Sequence, residues 1–237
     1  MKQQLITKLL AGVAGMGIAL GAVNVYASPE KDRQDFIKYY TSKYPHVKVD
    51  DYVYGALAFE PDSKAQYDAI MEFPPFDSVV DQGRKMFETP LKSGKKYSDC
   101  LPNGGKMIAG NYPMFDEAKG KVVTLNDVIN DCRVANGEVA WKVDDVKTMG
   151  TLNAYLRTLS DGMLSNVKVD TPKALAAYED GKKSFFTRKG QFNFACATCH
   201  VQNGGVKLRS ELMSPAVGHS VHWPVFRAGD TLVQLQQ

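Results

Sequence analysis

The stretch Phe194-Ala195-Cys196-Ala197-Thr198-Cys199-His200 decides the fold of this sequence. Two thiols three positions apart, followed at once by a histidine, have the spacing of a covalently attached c-type haem, because both sulfurs then reach one edge of the porphyrin and the imidazole reaches the iron. A redox-active dithiol would not need the histidine, and half of a zinc site would need two more ligands. We therefore predict one haem c, bound covalently by Cys196 and Cys199, with His200 as an axial ligand of the iron.

The second axial ligand of the iron is not identified by the sequence. Beyond His200 the chain offers Met213, His219 and His222 as candidates. Met213 follows His200 by only 13 residues, which is short for a crossing to the opposite face of a haem. Histidines of this kind are more often packing or rim residues than ligands. We expect the sixth ligand to be missing from the printed sequence.

Three basic residues near the motif are candidate contacts to anions. A guanidinium matches the geometry of oxyanions and carboxylates, so Arg209 and Arg227 are predicted to contact an oxyanion substrate or the haem propionates, with Lys207 as a weaker candidate. The alternative is that these charges are simply solvated, as most surface charges are. The whole sequence has 29 Lys and Arg against 26 Asp and Glu and no basic stripe with interleaved aromatic residues, which argues against nucleic acid as a partner.

Residues 1–27 have the pattern of a secretory signal peptide. Lys2 and Lys8 supply the positive segment, residues 9–23 are apolar, and the small residue Ala27 ends a cleavage-like site. A membrane anchor, the alternative, would need about 20 apolar residues. We expect cleavage after Ala27, and hence a periplasmic protein that keeps no membrane span.

The chain contains a weak internal repeat. In each copy a glycine precedes a phenylalanine by four positions, which on a helix lets a second helix approach closely and pack on the ring, and a cysteine follows. The paired segments are Gly83–Phe87 before Cys100 and Gly181–Phe185 before Cys196, then Tyr112–Phe115 and Trp223–Phe226, then Thr124-Leu125 and Thr231-Leu232. Coincidence among short degenerate patterns is the alternative.

The first copy lacks the residues of a haem motif. Cys100 aligns with Cys196, but Asn103 and Gly104 stand where the second cysteine and the histidine should be. In an oxidising compartment Cys100 and Cys132 could close a disulfide, which would stabilise the domain by about 3 to 4 kcal/mol for a loop of this length. Two unrelated buried thiols are the alternative. We expect a degenerate first domain without haem.

The first copy alone has a candidate for the closing helix of a small cytochrome. The pattern keeps helical spacing up to Asp161-Gly162, and its apolar residues are Leu152, Tyr155, Leu156 and Leu159. Only 37 residues follow His200, and they contain no such pattern. We expect the sequence to be a C-terminal truncation of a longer protein, with the equivalent of Cys132 near position 239.

These patterns together predict a mainly α protein of two cytochrome-c-like domains. The expected organisation is a signal peptide at residues 1–27, an N-terminal extension with the degenerate domain at 28–172, and a haem-binding domain, incomplete at its C-terminus, at 173–237. Helices are expected near 32–44 and 63–73 of the extension, to which we assign no chemistry.

The ordered set of motifs resembles the SoxA subunit of the SoxAX cytochromes of bacterial sulfur oxidation, over essentially the whole chain after residue 27. The haem motif alone is generic, but its combination with the other segments is specific. The matching segments are Phe194–His200, Gly205–Arg209 followed by Pro215 and Gly218, Trp223–Arg227, and Leu125–Arg133 with its ending Ile129-Asn-Asp-Cys132-Arg133.

This resemblance implies an L-cysteine S-thiosulfotransferase subunit of the single-haem type, whose first domain is held by a disulfide, here between Cys100 and Cys132. Thiosulfate would be joined oxidatively to a cysteine of the carrier protein SoxY. Two electrons would leave through haem c to the small cytochrome SoxX, the expected partner in a heterodimer. The family's catalytic cysteine, which is also its sixth haem ligand, and the arginine shortly before it have no counterpart here, so the catalytic residue is expected beyond Gln237.

A simple electron-transfer cytochrome with a docking domain is the alternative function. The residue at about 239 to 242 of the full gene would separate the two hypotheses, because a cysteine there favours the transferase and a methionine favours the carrier.

Overall fold

The computed structural model describes residues 28–142, 145–222, 225–227 and 231–233. Residues 1–27, which contain the expected signal peptide, lie outside the described residues, as do Trp223 and Pro224. The α-helices are α1 (Pro29–Lys43), α2 (Pro61–Ile70), α3 (Asp77–Glu88), α4 (Tyr97–Cys100), α5 (Leu125–Ala135), α6 (Val146–Thr158) and α7 (Pro172–Phe186). Helices of the 3₁₀ type cover Val49–Phe59, Pro102–Gly105, Ala109–Asn111 and His219–His222, and a short π-helix covers Thr198–Gln202.

The strands form three short antiparallel hairpins, which are β1 (Met114–Asp116) with β2 (Lys121–Val123), β3 (Lys207–Leu208) with β4 (Glu211–Leu212), and β5 (Val225–Arg227) with β6 (Thr231–Val233). The prediction of a mainly α protein is confirmed. In the part of the chain that the structure describes, no helix is long and apolar enough to cross a membrane.

Helices α3 and α6 cross at Gly83, as the glycine and phenylalanine spacing predicts. A Cβ atom at Gly83 would lie 2.3 Å from the carbonyl oxygen of Thr151 and 2.8 Å from the Cβ of Tyr155, so only glycine permits this approach. One helical turn further on, the Phe87 ring packs edge-on against Tyr155 with centroids 5.3 Å apart. The closing helix predicted for the first copy is therefore α6, and it packs on the first helix of that copy.

The core of the first copy is a cluster of buried apolar side chains. Its fully buried members are Ile129, Leu152 and Leu156, and they pack with Phe87 and Tyr97. The other buried residues of this cluster are Leu91, Leu101, Ile108, Ala109, Leu125, Cys132 and Met149. These side chains form one apolar cluster in the first copy, and the absence of haem from this domain stays a prediction.

A disulfide joins Cys100 on α4 to Cys132 on α5, with Cα atoms 5.6 Å apart. The predicted pairing is confirmed. Next to it, Gly105 has a φ of +81°, and a Cβ there would lie 3.0 Å from the Phe87 ring and 3.2 Å from Leu156. The chain after Cys100 thus turns tightly onto the apolar core, in a conformation that favours glycine.

The hairpins β1–β2 and β5–β6 agree with the repeat only in part. Phe115 pairs with Val122 and Phe226 pairs with Leu232, so the two phenylalanines occupy equivalent strand positions. The predicted match of Thr124 with Thr231 is wrong, however. Thr124 lies past β2, where its side chain accepts a hydrogen bond from the Asp127 N–H and caps α5, whereas Thr231 lies within β6. The strand pairing matches Thr231 with Lys121 instead, a shift of three positions.

The N-terminal extension packs on the second copy. Asp32 of α1 accepts hydrogen bonds from the Tyr178 hydroxyl at 2.8 Å and from Lys182 at 2.6 Å, both on α7. Burial by itself would raise the pKa of Asp32, but these two hydrogen bonds and the Lys182 charge lower it below its ordinary value. The rings of Phe36 and Phe186 stack between the same two helices, with centroids 6.5 Å apart. The domain boundary at 172/173 stays a prediction. Helix α1 precedes this boundary in the sequence but contacts Tyr178 and Lys182 of α7, which follow it.

Candidate haem site

The haem motif sits on a short π-helical turn whose ends are held by local hydrogen bonds. The Thr198 hydroxyl accepts from the backbone N–H of Ala195 at 3.0 Å, and the Asn203 side chain donates to the carbonyl oxygen of Thr198 at 2.7 Å. Cys196 is exposed and Cys199 is half-buried, and neither is in a disulfide. Both sulfurs are therefore available for covalent attachment.

The imidazole of His200 is oriented by a backbone carbonyl. Its Nδ1 lies 2.8 Å from the oxygen of Ser214, and because a carbonyl only accepts, Nδ1 carries the proton. The Nε2 atom of the same ring then has its lone pair free, which is the form in which histidine binds iron, with its second nitrogen tied to a backbone oxygen. Two available thiols and an imidazole in this tautomer fit a c-type haem.

The backbone of His200 is held from the other direction by α1. Its carbonyl oxygen accepts a hydrogen bond from the hydroxyl of Tyr40, a fully buried residue, and a second from the N–H of Ala216 at 2.8 Å. Burial raises the pKa of Tyr40 to about 12, so its hydroxyl keeps the proton that it donates at any physiological pH. His200 is thereby fixed through both its ring and its main chain.

Three more donors of α1 reach the carbonyl oxygens that follow His200. The pairs are Tyr39 with Val201 at 3.5 Å, Lys43 with Gln202 at 2.9 Å, and Tyr44 with Gly204 at 2.7 Å. The sequence prediction assigned no chemistry to this helix and so missed these residues. The pattern that could have revealed them is the spacing of polar aromatic residues and a lysine at positions 39, 40, 43 and 44, which places all four on one helix face.

The small residues that follow the motif permit this close packing. Gly205 has a φ of +81°, and a Cβ there would lie 2.7 Å from the Tyr44 ring. At Gly218, with a φ of +76°, a Cβ would lie 2.2 Å from the carbonyl oxygen of Tyr52. Pro215, between them, is fully buried. These positions of the sequence pattern are thus explained by the approach of the N-terminal extension to the motif loop.

The candidates for the sixth ligand lie on the His200 side of the motif. The His219 ring packs beside that of His200, with centroids 4.7 Å apart and planes inclined by 48°. The backbone of Met213 pairs with Gly205 and Val206 in the loop directly after the motif. The identity of the second axial ligand stays a prediction. The side chain of His222 lies outside the described residues.

The predicted anion contacts are not gathered at the motif. Arg209 lies exposed at the tip of the β3–β4 hairpin with a φ of +57°. Lys207 forms an ion pair with Glu60 of the extension, with Nζ and Oε1 2.5 Å apart, and it lowers the pKa of that carboxyl. The backbone of Arg227 lies in β5 opposite Thr231, and its side chain lies outside the described residues. The roles of Arg209 and Arg227 stay predictions.

The helical fold and the haem-attachment motif define the chain as a protein of the cytochrome c class. A family model described as "SoxA/TsdA, cytochrome c domain" matches residues 82–164, which span α3 to α6. The chain is 40% identical over 218 residues to the L-cysteine S-thiosulfotransferase subunit SoxA of Allochromatium vinosum, covering 91% of this chain and 76% of that protein. Similarity to the protein of the same name from Chlorobaculum tepidum is 40% identity over 208 residues, covering 87% of this chain and 71% of that one.

Among solved structures, the fold is similar to the crystal structure of SoxXA from P. pantotrophus, with a TM-score of 0.61 and 28% sequence identity. That comparison covers 69% of this chain and 62% of the solved chain. The chain belongs to the SoxA family, whose relatives are L-cysteine S-thiosulfotransferase subunits. The resemblance seen in the sequence motifs is confirmed.

Proposed function

We propose that this chain is the haem-bearing subunit of a periplasmic complex that joins thiosulfate oxidatively to a cysteine of a SoxY-type carrier protein. The observation that carries the proposal is the arrangement at His200. Its Nδ1–H is bound by the Ser214 carbonyl, which leaves the Nε2 lone pair available to an iron ion, and two available thiols lie in the same motif. The names of the relatives supply the reaction class.

The proposed reaction is an oxidative sulfur transfer. A thiol R–SH and thiosulfate, S₂O₃²⁻, give R–S–S–SO₃⁻, one proton and two electrons, so a new S–S bond forms while the S–H bond is lost. A haem c held by Cys196, Cys199 and His200 supplies one-electron redox chemistry for the two electrons. A thiolate is the nucleophile that this bond formation requires.

The four cysteines of the printed sequence are all accounted for in this proposal. Cys100 and Cys132 are joined to each other, and Cys196 and Cys199 would be consumed by the two thioether bonds. The sulfur-accepting thiol is therefore proposed to be none of these four. In this scheme the chain binds the haem and orients its ligand, and a cysteine outside this set forms the bond to sulfur.

A SoxX-type cytochrome is the proposed partner and electron acceptor. The solved structure to which the fold is similar is that of a SoxXA protein, which supports a complex of this kind. The aromatic residues Phe192 and Phe194 are exposed just before the motif, next to the edge at which Cys196 would attach the haem. Exposed aromatic rings beside an attached haem would suit the docking of a second cytochrome.

The experiment that tests the proposal is expression of the gene in a host that attaches haem c, together with SoxX-type and SoxY-type proteins. Intact mass is expected to show one covalent haem, and Cys196→Ser with Cys199→Ser is expected to abolish it. His200→Met is expected to keep the covalent haem and to change its absorption spectrum, because the thioether bonds do not depend on the axial ligand. With thiosulfate present, the carrier cysteine is expected to gain the mass of a bound thiosulfate group.

Two results would contradict the proposal. A protein whose haem content is unchanged in the double cysteine variant would place the haem elsewhere. A carrier that stays unmodified while the haem is reduced and reoxidised normally by the SoxX-type protein would favour the simple electron-transfer cytochrome.

A further inference from the structure

A pocket of about 410 Å³ lies between the first copy and the segment that follows the haem motif. Helix α6 contributes Asn153 and Arg157 to its wall, and the start of α5 contributes Asn126. Ser220 and Val221 line it from the opposite side, and they directly follow His219, whose ring packs on His200. The pocket is thus lined by both halves of the described chain and is separate from the haem motif itself.

Arg157 carries an uncompensated charge in this pocket. Its Nε atom is buried and has no hydrogen-bond partner, and no carboxylate of the described residues lies within 4.0 Å of its guanidinium. Burial lowers the pKa of Arg157. A buried guanidinium N–H that has neither a hydrogen-bond acceptor nor an opposite charge among the described residues is costly to a fold, which points to an anion that binds there.

The amide of Asn126 adds a neutral donor to the same pocket. Asn153 is buried, and its Nδ2 donates to the Met149 carbonyl at 3.3 Å, which fixes the orientation of its amide. The same Nδ2 donates to the Oδ1 of Asn126 at 2.7 Å, so Asn126 presents its oxygen to Asn153 and keeps its own Nδ2 as an unused donor. A charged fork and an amide N–H group are the donors that an oxyanion requires.

Among the residues that the structure describes, one carboxylate lines the pocket, and it lies at the exposed rim. Asp161 follows the end of α6 and is solvent-exposed, and it forms no ion pair with Arg157 despite lying only four positions further along the chain. Its charge opposes the binding of an anion, and solvent weakens that effect at the rim. Asp161 therefore provides a test residue whose removal should act in the direction opposite to the removal of Arg157.

We infer that this pocket binds a small oxyanion of the sulfate class through the Arg157 guanidinium and the Asn126 amide. Sulfate, sulfite and thiosulfate share the charge and the tetrahedral oxygens that such a donor set recognises. Sulfate binding can be measured without any transfer of thiosulfate. A failure of this inference is therefore distinguishable from a failure of the proposed function.

Titration calorimetry and thermal unfolding of the holoprotein with sulfate, against chloride at equal ionic strength, test the inference. Sulfate is expected to bind and to raise the midpoint of unfolding above that in chloride. Arg157→Gln is expected to weaken binding roughly tenfold or more, because a charge-assisted hydrogen bond is lost. Asp161→Asn is expected to strengthen it. Arg84→Gln, an exposed arginine on α3, is the matched control and is expected to change nothing.

Asn126→Asp keeps the test decisive if Arg157→Gln does not fold. The aspartate still offers Asn153 an oxygen acceptor but adds a negative charge to the pocket, so the variant is expected to fold and to lose sulfate binding. Binding that survives this change, or that is absent from the native holoprotein, would overturn the inference. Sulfate binding only by the haem-free Cys196→Ser and Cys199→Ser variant would show that a haem propionate takes the guanidinium, and this would overturn it equally.

Discussion

His200 is positioned by neutral groups rather than by a charged side chain. The Ser214 carbonyl sets its tautomer, and the Tyr40 hydroxyl and the Ala216 N–H share its carbonyl oxygen. Neutral donors and acceptors hold their hydrogen bonds over a wide pH range, so the orientation of the ring does not depend on the titration of a carboxylate.

Tyr40→Phe tests this support at a single atom. The change removes one donor to the His200 carbonyl and leaves the ring in place, so the free energy of unfolding is expected to fall by about 1 kcal/mol in urea denaturation. Tyr39→Phe is the matched control, because that side chain is 41% exposed and its contact to Val201 is 3.5 Å long. An equal fall in the free energy of unfolding of the two variants would show that the Tyr40 hydrogen bond stabilises the fold no more than the Tyr39 contact does.

The buried hydroxyl of Tyr40 also predicts a dependence of stability on alkaline pH. Its pKa is about 12 in the folded protein against 10.0 for an ordinary tyrosine, so between about pH 10 and 12 the unfolded chain releases a proton that the folded chain keeps. Stability is therefore unaffected by this group below about pH 10 and falls as the pH rises through that window.

Unfolding midpoints of Tyr40→Phe and the native protein, measured from pH 8 to the alkaline limit, check the sign. The variant is expected to lose less stability over the window, by at most about 1.4 kcal/mol per pH unit for one proton. Burial raises the pKa of Tyr52 in the same cluster as well, so part of the alkaline loss is expected to remain. A variant that loses as much as the native protein would contradict the assignment.

At the scale of the helices, two glycines with the same sequence context have different surroundings. Gly83 on α3 touches α6, whereas a Cβ at Gly181 on α7 would meet no atom within 4 Å. The repeat thus provides the same helix pattern twice, and within the described residues only the first copy has a helix packed on it.

Alanine at each glycine measures that difference. Gly83→Ala is expected to lower the free energy of unfolding by about 1 to 3 kcal/mol, because the Thr151 carbonyl would have to move. Gly181→Ala is expected to be neutral or to stabilise the helix by up to about 1 kcal/mol. Thermal unfolding of both variants checks this. A large loss of stability in Gly181→Ala would show that another element packs on α7 at Gly181.

At the scale of the whole molecule, the two copies are stabilised by different means. The first copy has an apolar core and the disulfide between Cys100 and Cys132, whereas the haem motif of the second copy is packed against the tyrosines of the N-terminal extension. The extension therefore belongs physically with the haem-binding half, although the first copy separates the two along the chain.

Cys100→Ala with Cys132→Ala tests the contribution of the disulfide. The closed loop has a sequence separation of 32, and its loss is expected to lower the free energy of unfolding by about 3 to 4 kcal/mol. Reductant should produce a similar loss in the native protein and none in the double variant, because the proposed thioether bonds to haem are not reduced. A native protein whose unfolding midpoint is indifferent to reductant would contradict this.

Several features of the molecule could be predicted from local patterns. The helix crossing at Gly83 and the closing helix α6 were deducible, because each depends on residue types at a short or repeated spacing. The pairing of Cys100 with Cys132 was left open by the residues alone and was implied by the resemblance to the SoxA family. The predicted match of Thr124 with Thr231 was wrong because the pattern behind it was too short. Two residues are too short a pattern to distinguish a helix cap from a strand.

The sequence by itself determined the haem-attachment motif, because the chemistry of attachment needs only five consecutive residues, and the ordered motifs by which the chain resembles the SoxA family. Only the tertiary structure decided that α1 holds the backbone of His200 and that the Nε atom of Arg157 is buried with no partner among the described residues. Tyr40 and His200 are 160 positions apart, and no local sequence pattern predicts which distant carbonyl oxygen will accept the hydrogen bond of a tyrosine hydroxyl. Hydrogen bonds and desolvation depend on which atoms lie close together in space, and residues far apart in the sequence come close only when the chain folds.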